Sequence, residues 1–302
     1  MDHSLFVNDP GICKRGNSFY YNKNNQRVTE NLAHLRLKVP PAWKNVWYAS
    51  NKNCHIHVYG TDESGKKQYI LSEEWIQSAN AKKYNRMKQF IQDLQSFKRK
   101  IKLHQNEELH FHTLLSLLFH LLIDLHIRVG NEIYAETNKT YGLTTLLQKH
   151  LTFDNGMYTI SFTGKSNIKH SIKIPIEYNY YFNKLKLSNK NNPLFWYRLH
   201  GKMQTINSEE LNTFLRKHMG DYTCKDFRTY SANMLFIKAF LKNGLTDPKK
   251  RILRSIEHSA ECLGHSKTIC KKSYISNTLL NYCMDNFEHS IKLSSNELLK
   301  KI

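Results

Sequence analysis

Hydrophobic and polar positions follow two rhythms along this chain, and the change comes near residue 78. Before it the apolar runs are short and strand-like. Phe19-Tyr20-Tyr21 precedes the turn-like Asn22-Lys23-Asn24-Asn25, and Asn53 to Tyr59 alternates polar and apolar side chains. Gly60-Thr61-Asp62-Glu63-Ser64-Gly65 predicts a turn, with Lys66 to Leu71 returning from it as a strand. Between these runs Val39-Pro40-Pro41-Ala42-Trp43 forbids regular structure, because proline lacks an N–H and restricts the residue before it.

From Glu73 the spacing becomes helical, with Met87, Phe90, Ile91, Leu94 and Phe97 at i, i+3, i+4 intervals inside Ala79 to Ile101. Leu114 to Ile127 is the most apolar stretch. Ser116, His120, Asp124 and His126 interrupt it, so it is too short and too polar to span a bilayer and predicts a buried helix ending at Arg128. A hairpin follows: the turn Phe153-Asp154-Asn155-Gly156, a strand from Met157 to Phe162, a tip at Gly164-Lys165-Ser166-Asn167, and a return over Lys169 to Ile174. Helices are expected around Ser208 to Met219, Lys225 to Asn243, Pro248 to Leu263 and Ser273 to Asn286. The pattern is α+β: a small β-rich N-terminal domain, 1–78, and a larger, mainly α-helical domain, 79–302.

Charge narrows the partners. Across 302 residues there are 45 Lys+Arg against 25 Asp+Glu, a formal net charge of +20, which suits nucleic acid or an anionic membrane surface. Abundant Asn and Lys also follow from an A/T-rich genome, so composition alone does not choose. The basic residues Lys82, Lys83, Arg86, Lys88, Lys98, Arg99 and Lys100 read equally as a solvated helix face or a phosphate-facing one. Met1-Asp2-His3-Ser4 leads into no apolar run, so no secretory leader is expected, and the six scattered cysteines are expected to be reduced thiols in an intracellular protein. Cys262, His265 and Cys270 match no common zinc spacing, and no metal site is expected.

Candidate chemistry gathers on five residues. Gly164-Lys165-Ser166 has the ending of a P-loop, but the glycine required five positions earlier is Thr159, and the segment leads into a strand; the nucleotide-binding reading is rejected. Arg128 opens Arg128-Val129-Gly130-Asn131-Glu132. Arg228 stands early in a helix, where a cation gains nothing from the dipole and an anionic partner, Asp/Glu or phosphate, is expected. Ala260-Glu261-Cys262-Leu263-Gly264-His265 reads as a helix end with glycine as its stop, and Tyr274 follows nine positions after the histidine. Either residue alone reads as ordinary core. Two arginines, a lysine, a histidine and a tyrosine together are a set that handles a phosphodiester.

Arg128-x-Gly-Asn-Glu, the hairpin Lys165, Lys225-Asp-Phe-Arg228-Thr-Tyr, Leu263-Gly-His265 and Ser273-Tyr274-Ile275 occur in the order found in type IB DNA topoisomerases. Pro40-Pro41-Ala42-Trp43 and Gly60-x-Asp62-x-x-Gly65-x-x-Gln68-Tyr69 also resemble that family, over roughly residues 38–278. With eight residues between His265 and Tyr274, the chain resembles the compact form of poxviruses, other large DNA viruses and some bacteria, not the nuclear enzymes with a long linker.

The resemblance implies a fold shared with tyrosine recombinases and relaxation of supercoiled duplex DNA through a 3′-phosphotyrosyl bond, with no cofactor, ATP or metal. It implies Tyr274 as nucleophile, Arg128, Arg228 and His265 as transition-state stabilisers, and Lys165 as general acid. The chemistry agrees with those roles. Phenolate, from a group of pKa about 10, leaves better than an alkoxide, so forward cleavage needs an acid at the departing 5′-oxygen. Gln68, Tyr69, Tyr134 and Asn233 match positions that touch DNA or support the site, and the adjacent Lys66 and Lys67 join them as candidate DNA contacts; for Tyr69 and Tyr134 core packing stands as an equal reading.

Leu71 stands where poxvirus enzymes have an aromatic residue, and Asn131 and Glu132 where they have basic ones, which argues against a poxvirus-like cleavage preference. A tyrosine recombinase is the nearest rival, but Lys225 holds the place of its usual histidine. A DNA-binding protein without catalysis is the other. The expected assembly is a monomer clamped on double-stranded DNA, with no membrane partner, in a virion, viral replication compartment, cytoplasm or nucleus.

Overall fold

The computed structural model describes residues 9–51, 53–103 and 108–302; the opening Met1-Asp2-His3-Ser4 lies outside them. The chain divides into two compact units, Met1–Lys83 and Tyr84–Ile302, the division falling inside the helix α1 (Glu73–Lys100), five residues beyond position 78.

In the first unit, β1 (Ile12–Arg15), β2 (Ser18–Tyr21), β3 (Lys44–Tyr48), β4 (Ile56–Thr61) and β5 (Lys67–Leu71) form an antiparallel sheet in the order β2-β1-β3-β4-β5. The period-2 pattern gives the sheet two small apolar faces. Ile12, Tyr48 and Val58 lie in one cluster with Leu32, and Trp47, Ala49 and Cys54 in the other. Cross-strand pairing joins Trp47 to Tyr59 and Tyr59 to Tyr69, so their rings form a row with centroids 5.2 and 6.4 Å apart. Strands β1 and β3 carry no alternation long enough to read in advance.

In the second unit, α1 packs the predicted stripe inward: Met87, Phe90, Leu94 and Phe97 are buried and Ile91 partly so, and Tyr84 joins them. The rings of Phe90 and Phe97 stand 5.1 and 6.4 Å from that of Phe227, and Phe97 meets Phe119 at 5.0 Å. Full burial of each such ring contributes about 1.5–3 kcal/mol. Helix α2 (Phe111–Asp124) is buried on nearly every side, as its composition predicts. The other helices are α3 (Glu132–Asn138), α4 (Asn179–Leu185), α5 (Ser208–Met219), α6 (Cys224–Lys242), α7 (Pro248–Leu263), α8 (Lys267–Ser273), α9 (Asn277–Asp285), α10 (Phe287–Ser290) and α11 (Ser295–Leu299). A three-stranded antiparallel sheet runs β6 (Leu151–Asp154), β7 (Met157–Thr163), β8 (Lys169–Lys173), and a short hairpin joins β9 (Tyr197–Leu199) to β10 (Lys202–Gln204).

Three expectations need correction. The apolar helix stops at Asp124, not at Arg128, because His126 takes a left-handed φ of 54° that no helix continues through. No single helix covers Ser273 to Asn286: α8 ends at Ser273 and α9 begins at Asn277, with Ser276 as its N-cap accepting from Leu279 N. The hairpin is a three-stranded sheet, since Leu151–Asp154 pairs with Met157–Ile160 ahead of the turn. Among the described residues no helix is long and apolar enough to cross a membrane, no group of three His, Cys, Asp or Glu could hold a metal ion, and all six cysteines are free thiols.

Candidate active site

Each of the five residues is held by a different local device. Arg128 lies four residues past α2 on an extended segment that crosses the segment after α3. Leu143 N donates to Arg128 O at 2.7 Å and Thr144 N to Val129 O at 2.6 Å. At the crossing Gly130 has φ +109°, and a Cβ on Gly142 would stand 2.5 Å from Gly130 N, so both glycines are required. Asn131 and Glu132, the departures from the basic pattern, start α3: the Asn131 side chain accepts from Tyr134 N, and Glu132 sits in the first turn, where the dipole favours an acid.

Lys165 occupies the exposed turn between β7 and β8. Gly164 N donates to Ile168 O at 2.7 Å, and Ser166 and Asn167 adopt positive φ. The chain enters and leaves this turn as strand, in keeping with rejection of a P-loop.

Arg228 sits in the second turn of α6, which starts from a capping box between Thr223 and Asp226. It is 8% exposed, and of the two anionic partners expected for it, Asp/Glu or phosphate, no Asp or Glu is among its hydrogen-bond partners. Nη1 donates to His126 O and Nη2 to Leu263 O, each at 2.7 Å, while Nε has no hydrogen-bond partner. Leu263 ends α7, so the guanidinium meets an orphan carbonyl at the negative end of that helix dipole. Burial first and Arg128 second push Arg228 down to about 9, still protonated at neutral pH.

The α7 terminus also aims His265. Gly264, at φ +61°, closes a Schellman motif in which Gly264 N donates to Glu261 O and His265 N to Ala260 O. The imidazole Nε2 stands 2.9 Å from Arg228 Nη2 and Nδ1 stands 3.5 Å from Arg128 Nη2. A guanidinium only donates, so the nearer nitrogen, Nε2, accepts from Arg228. Burial, then Arg228, Arg128, Lys165 and His170, push the imidazole down to about 3.

Tyr274 follows α8 in the break before α9, with its ring stacked on His265 at 4.4 Å between centroids and 26° between planes. Burial lowers Arg128, while the Tyr274 phenol acts on it in the opposite direction. The break is fixed from below. Asn233 donates to Tyr274 O at 2.9 Å and accepts from Ser276 N at 3.0 Å, and Tyr84 Oη donates to Ile275 O at 2.7 Å. Asn233, expected to touch DNA or to support the site, is 0% exposed and holds the backbone of the tyrosine segment, which is the supporting role.

Thus Arg128, Arg228, His265 and Tyr274 converge, and Lys165 lines the same crevice as both arginines. None of the ion pairs among the described residues involves Arg128, Lys165 or Arg228. Such a cluster of cations suits an anion with several oxygens. Of the other candidates, Lys66, Lys67, Gln68 and Tyr69 belong to the first unit and Tyr134 to α3. Lys66 and Lys67 are exposed, Tyr69 is 47% exposed, and Gln68 donates to Asp62 Oδ2 at 2.7 Å. Bonds from Ser64, Gln68 and Lys66 hold the Asp62 carboxyl down to about 2, so that carboxylate pins the β4–β5 turn. Tyr134 is 48% exposed on α3, so the core reading is not the one realised for either tyrosine. His170 and His126 also line the crevice, and the sequence signals neither as a site residue, except that His170 shares the inward parity of Ile172 on β8.

Residues 72–298 match the family profile described as eukaryotic DNA topoisomerase I, catalytic core, and residues 18–62 match bacterial DNA topoisomerase IB, N-terminal domain. The chain is 34% identical to DNA topoisomerase 1B of Acanthamoeba polyphaga mimivirus, over 92% of this chain and 88% of that one. It is 30% identical to DNA topoisomerase 1B of Vaccinia virus (strain Copenhagen), over 75% and 72%. Among solved structures, the XerH site-specific recombinase bound to palindromic difH substrate, a post-cleavage complex, aligns at 16% identity with a TM-score of 0.38, over 76% of this chain and 59% of that one.

Proposed function

Since the chain belongs to the type IB DNA topoisomerase family, we propose that Tyr274 is the nucleophile with which it breaks and rejoins DNA. It is an isomerase that binds DNA and relaxes supercoils. In the proposed reaction the Tyr274 oxygen bonds to phosphorus, the bond to the 5′-oxygen breaks, and Lys165 gives that oxygen a proton, the phenol's own proton leaving to solvent. Arg128, Arg228 and His265 hold the non-bridging oxygens, where charge grows in the transition state. The phosphodiester energy stays in the 3′-phosphotyrosyl bond, so the 5′-hydroxyl, after rotation of its strand, reverses the step without a nucleotide. We assign no step to a metal ion, and read the substrate as double-stranded DNA bound by a monomer.

The observation that carries this reading is the convergence of two guanidinium groups on the imidazole that stacks against Tyr274. Strand exchange is disfavoured by Lys225 in place of a histidine and by the bacterial topoisomerase N-terminal profile. The test is relaxation of negatively supercoiled plasmid in EDTA without ATP. Wild type is expected to relax it, and Tyr274→Phe to bind DNA without relaxing it. Loss of neither activity in the variant, or no relaxation by wild type at any salt concentration, would sink the assignment.

A further inference from the structure

The mechanism leaves His170, an inward-facing group of the crevice, unused. His170 on β8 stacks on Phe162 of β7, with centroids 4.9 Å apart and planes at 17°. The edge of its ring occupies space that only glycine leaves open. A Cβ at Gly164 would lie 2.8 Å from His170 Nε2, and one at Gly264 would lie 2.8 Å from His170 Cε1. The residues after those glycines are Lys165 and His265. One ring therefore sits between the turn that carries the lysine and the helix end that carries the histidine.

We propose that His170 is a positioning residue that sets the Lys165 turn at a fixed height relative to His265, by wedging its ring between Gly164 and Gly264. The geometry makes this a contact of shape: both glycines offer the ring bare backbone. Burial, with Arg128 and Arg228 nearby, lowers the imidazole, so the wedge is a neutral ring that adds no charge beside the two arginines. Without it, β7 and β8 still pair, but the turn is no longer buttressed against the α7 terminus, and Lys165 loses its register with the departing oxygen. A misplacement of about 1 Å costs on the order of 10²-fold in rate. The proposal rests on the reading of Lys165 as general acid.

The experiment compares single-turnover cleavage by the full chain of two duplexes that span a bond the wild type cuts, one with the normal 5′-bridging oxygen and one with sulfur there. A thiol has a pKa of about 8.5, so a thiolate leaves without protonation. His170→Ala is expected to cleave the oxygen substrate about 10²-fold more slowly than wild type and the sulfur substrate at nearly the wild-type rate, with DNA binding kept. Gly164→Ala, which pushes on the same ring from the turn side, is expected to do the same. It decides the question by the same ratio if His170→Ala loses its cooperative thermal transition.

Equal slowing of both substrates, or unchanged oxygen cleavage, overturns the proposal. Lys165→Ala in the same assay separates the two readings. If it shows no sulfur rescue, the lysine is not the acid and the proposal falls with that reading. If it shows rescue and the His170 and Gly164 variants do not, the wedge alone is wrong.

Discussion

Arg251 and Arg228 are both buried, and their surroundings separate a structural cation from a reactive one. Arg251 spends every nitrogen on carbonyls: Nε on Phe240 O, Nη1 on Leu245 O and Nη2 on Leu241 O, with its plane over the Phe240 ring. Arg228 uses two carbonyls, leaves Nε unpartnered and turns Nη2 to His265. Its fork reaches three acceptors in different directions, which one ammonium cannot copy. Arg228→Lys is therefore expected to lose about 10²–10³-fold in cleavage rate, like removal of an oxyanion donor, while DNA affinity changes little. Single-turnover cleavage beside a gel-shift titration checks this; a rate close to wild type would mean the fork is not needed.

At the scale of elements, the site rests on joints between helices more than on the helices themselves. Arg128 depends on the crossing of Gly130 and Gly142, where a Cβ on Gly142 meets only backbone, at 2.5 Å from Gly130 N and 2.6 Å from Arg128 O. Gly142→Ala is expected to destabilise the second unit by about 1–3 kcal/mol or more, as overpacking does, and to slow cleavage through Arg128. Chemical denaturation measures the first and single-turnover cleavage the second; an alanine variant as stable and active as wild type would contradict the crossing. These joints were poorly legible in advance. Gly264 announced the end of α7, since the αL stop is a local property of one residue. The break at 274–276 was not announced, because Ser273 to Asn286 keeps apolar residues at helical spacing and the interruption comes from Asn233, which binds Tyr274 O and Ser276 N from another helix.

At the scale of the whole molecule, net charge and buried histidines set the response to solution conditions. A formal charge of +20 and exposed Lys66 and Lys67 predict DNA affinity that falls linearly in log–log form with salt. Fluorescence anisotropy across a salt series measures it, and a flat slope would contradict phosphate-dominated binding.

The folded state holds His126 and His150 down to about 4 and His265 down to about 3, burial being the first cause for each. Unfolded imidazoles titrate near 6.5, so below that pH the unfolded chain binds more protons. The stability these rings contribute is complete above about pH 6.5 and is lost as pH falls toward their folded values. The thermal midpoint is expected to drop between neutral pH and about 4.5. His150→Gln is expected to flatten the drop, since protonating Nδ1 breaks its bond from Leu147 N. A pH-independent midpoint would contradict the burial argument.

The sequence by itself determined the change from strand to helix spacing, the helix stop at Gly264, the cationic balance and the order of Arg128, Lys165, Arg228, His265 and Tyr274. Those features are local: side-chain periodicity, a cap or a stop acts within one or two turns of chain. Tertiary structure alone decided that Arg128 sits on a crossed segment and not a helix end, that Asn233 is buried beneath Tyr274, and that His170 stands between two glycines. Each is a contact across distant segments: Arg128 and His265 are 137 positions apart, and Arg228 and Leu263 are 35. No pattern of neighbours encodes such a meeting; it exists only where the packed core brings the segments together.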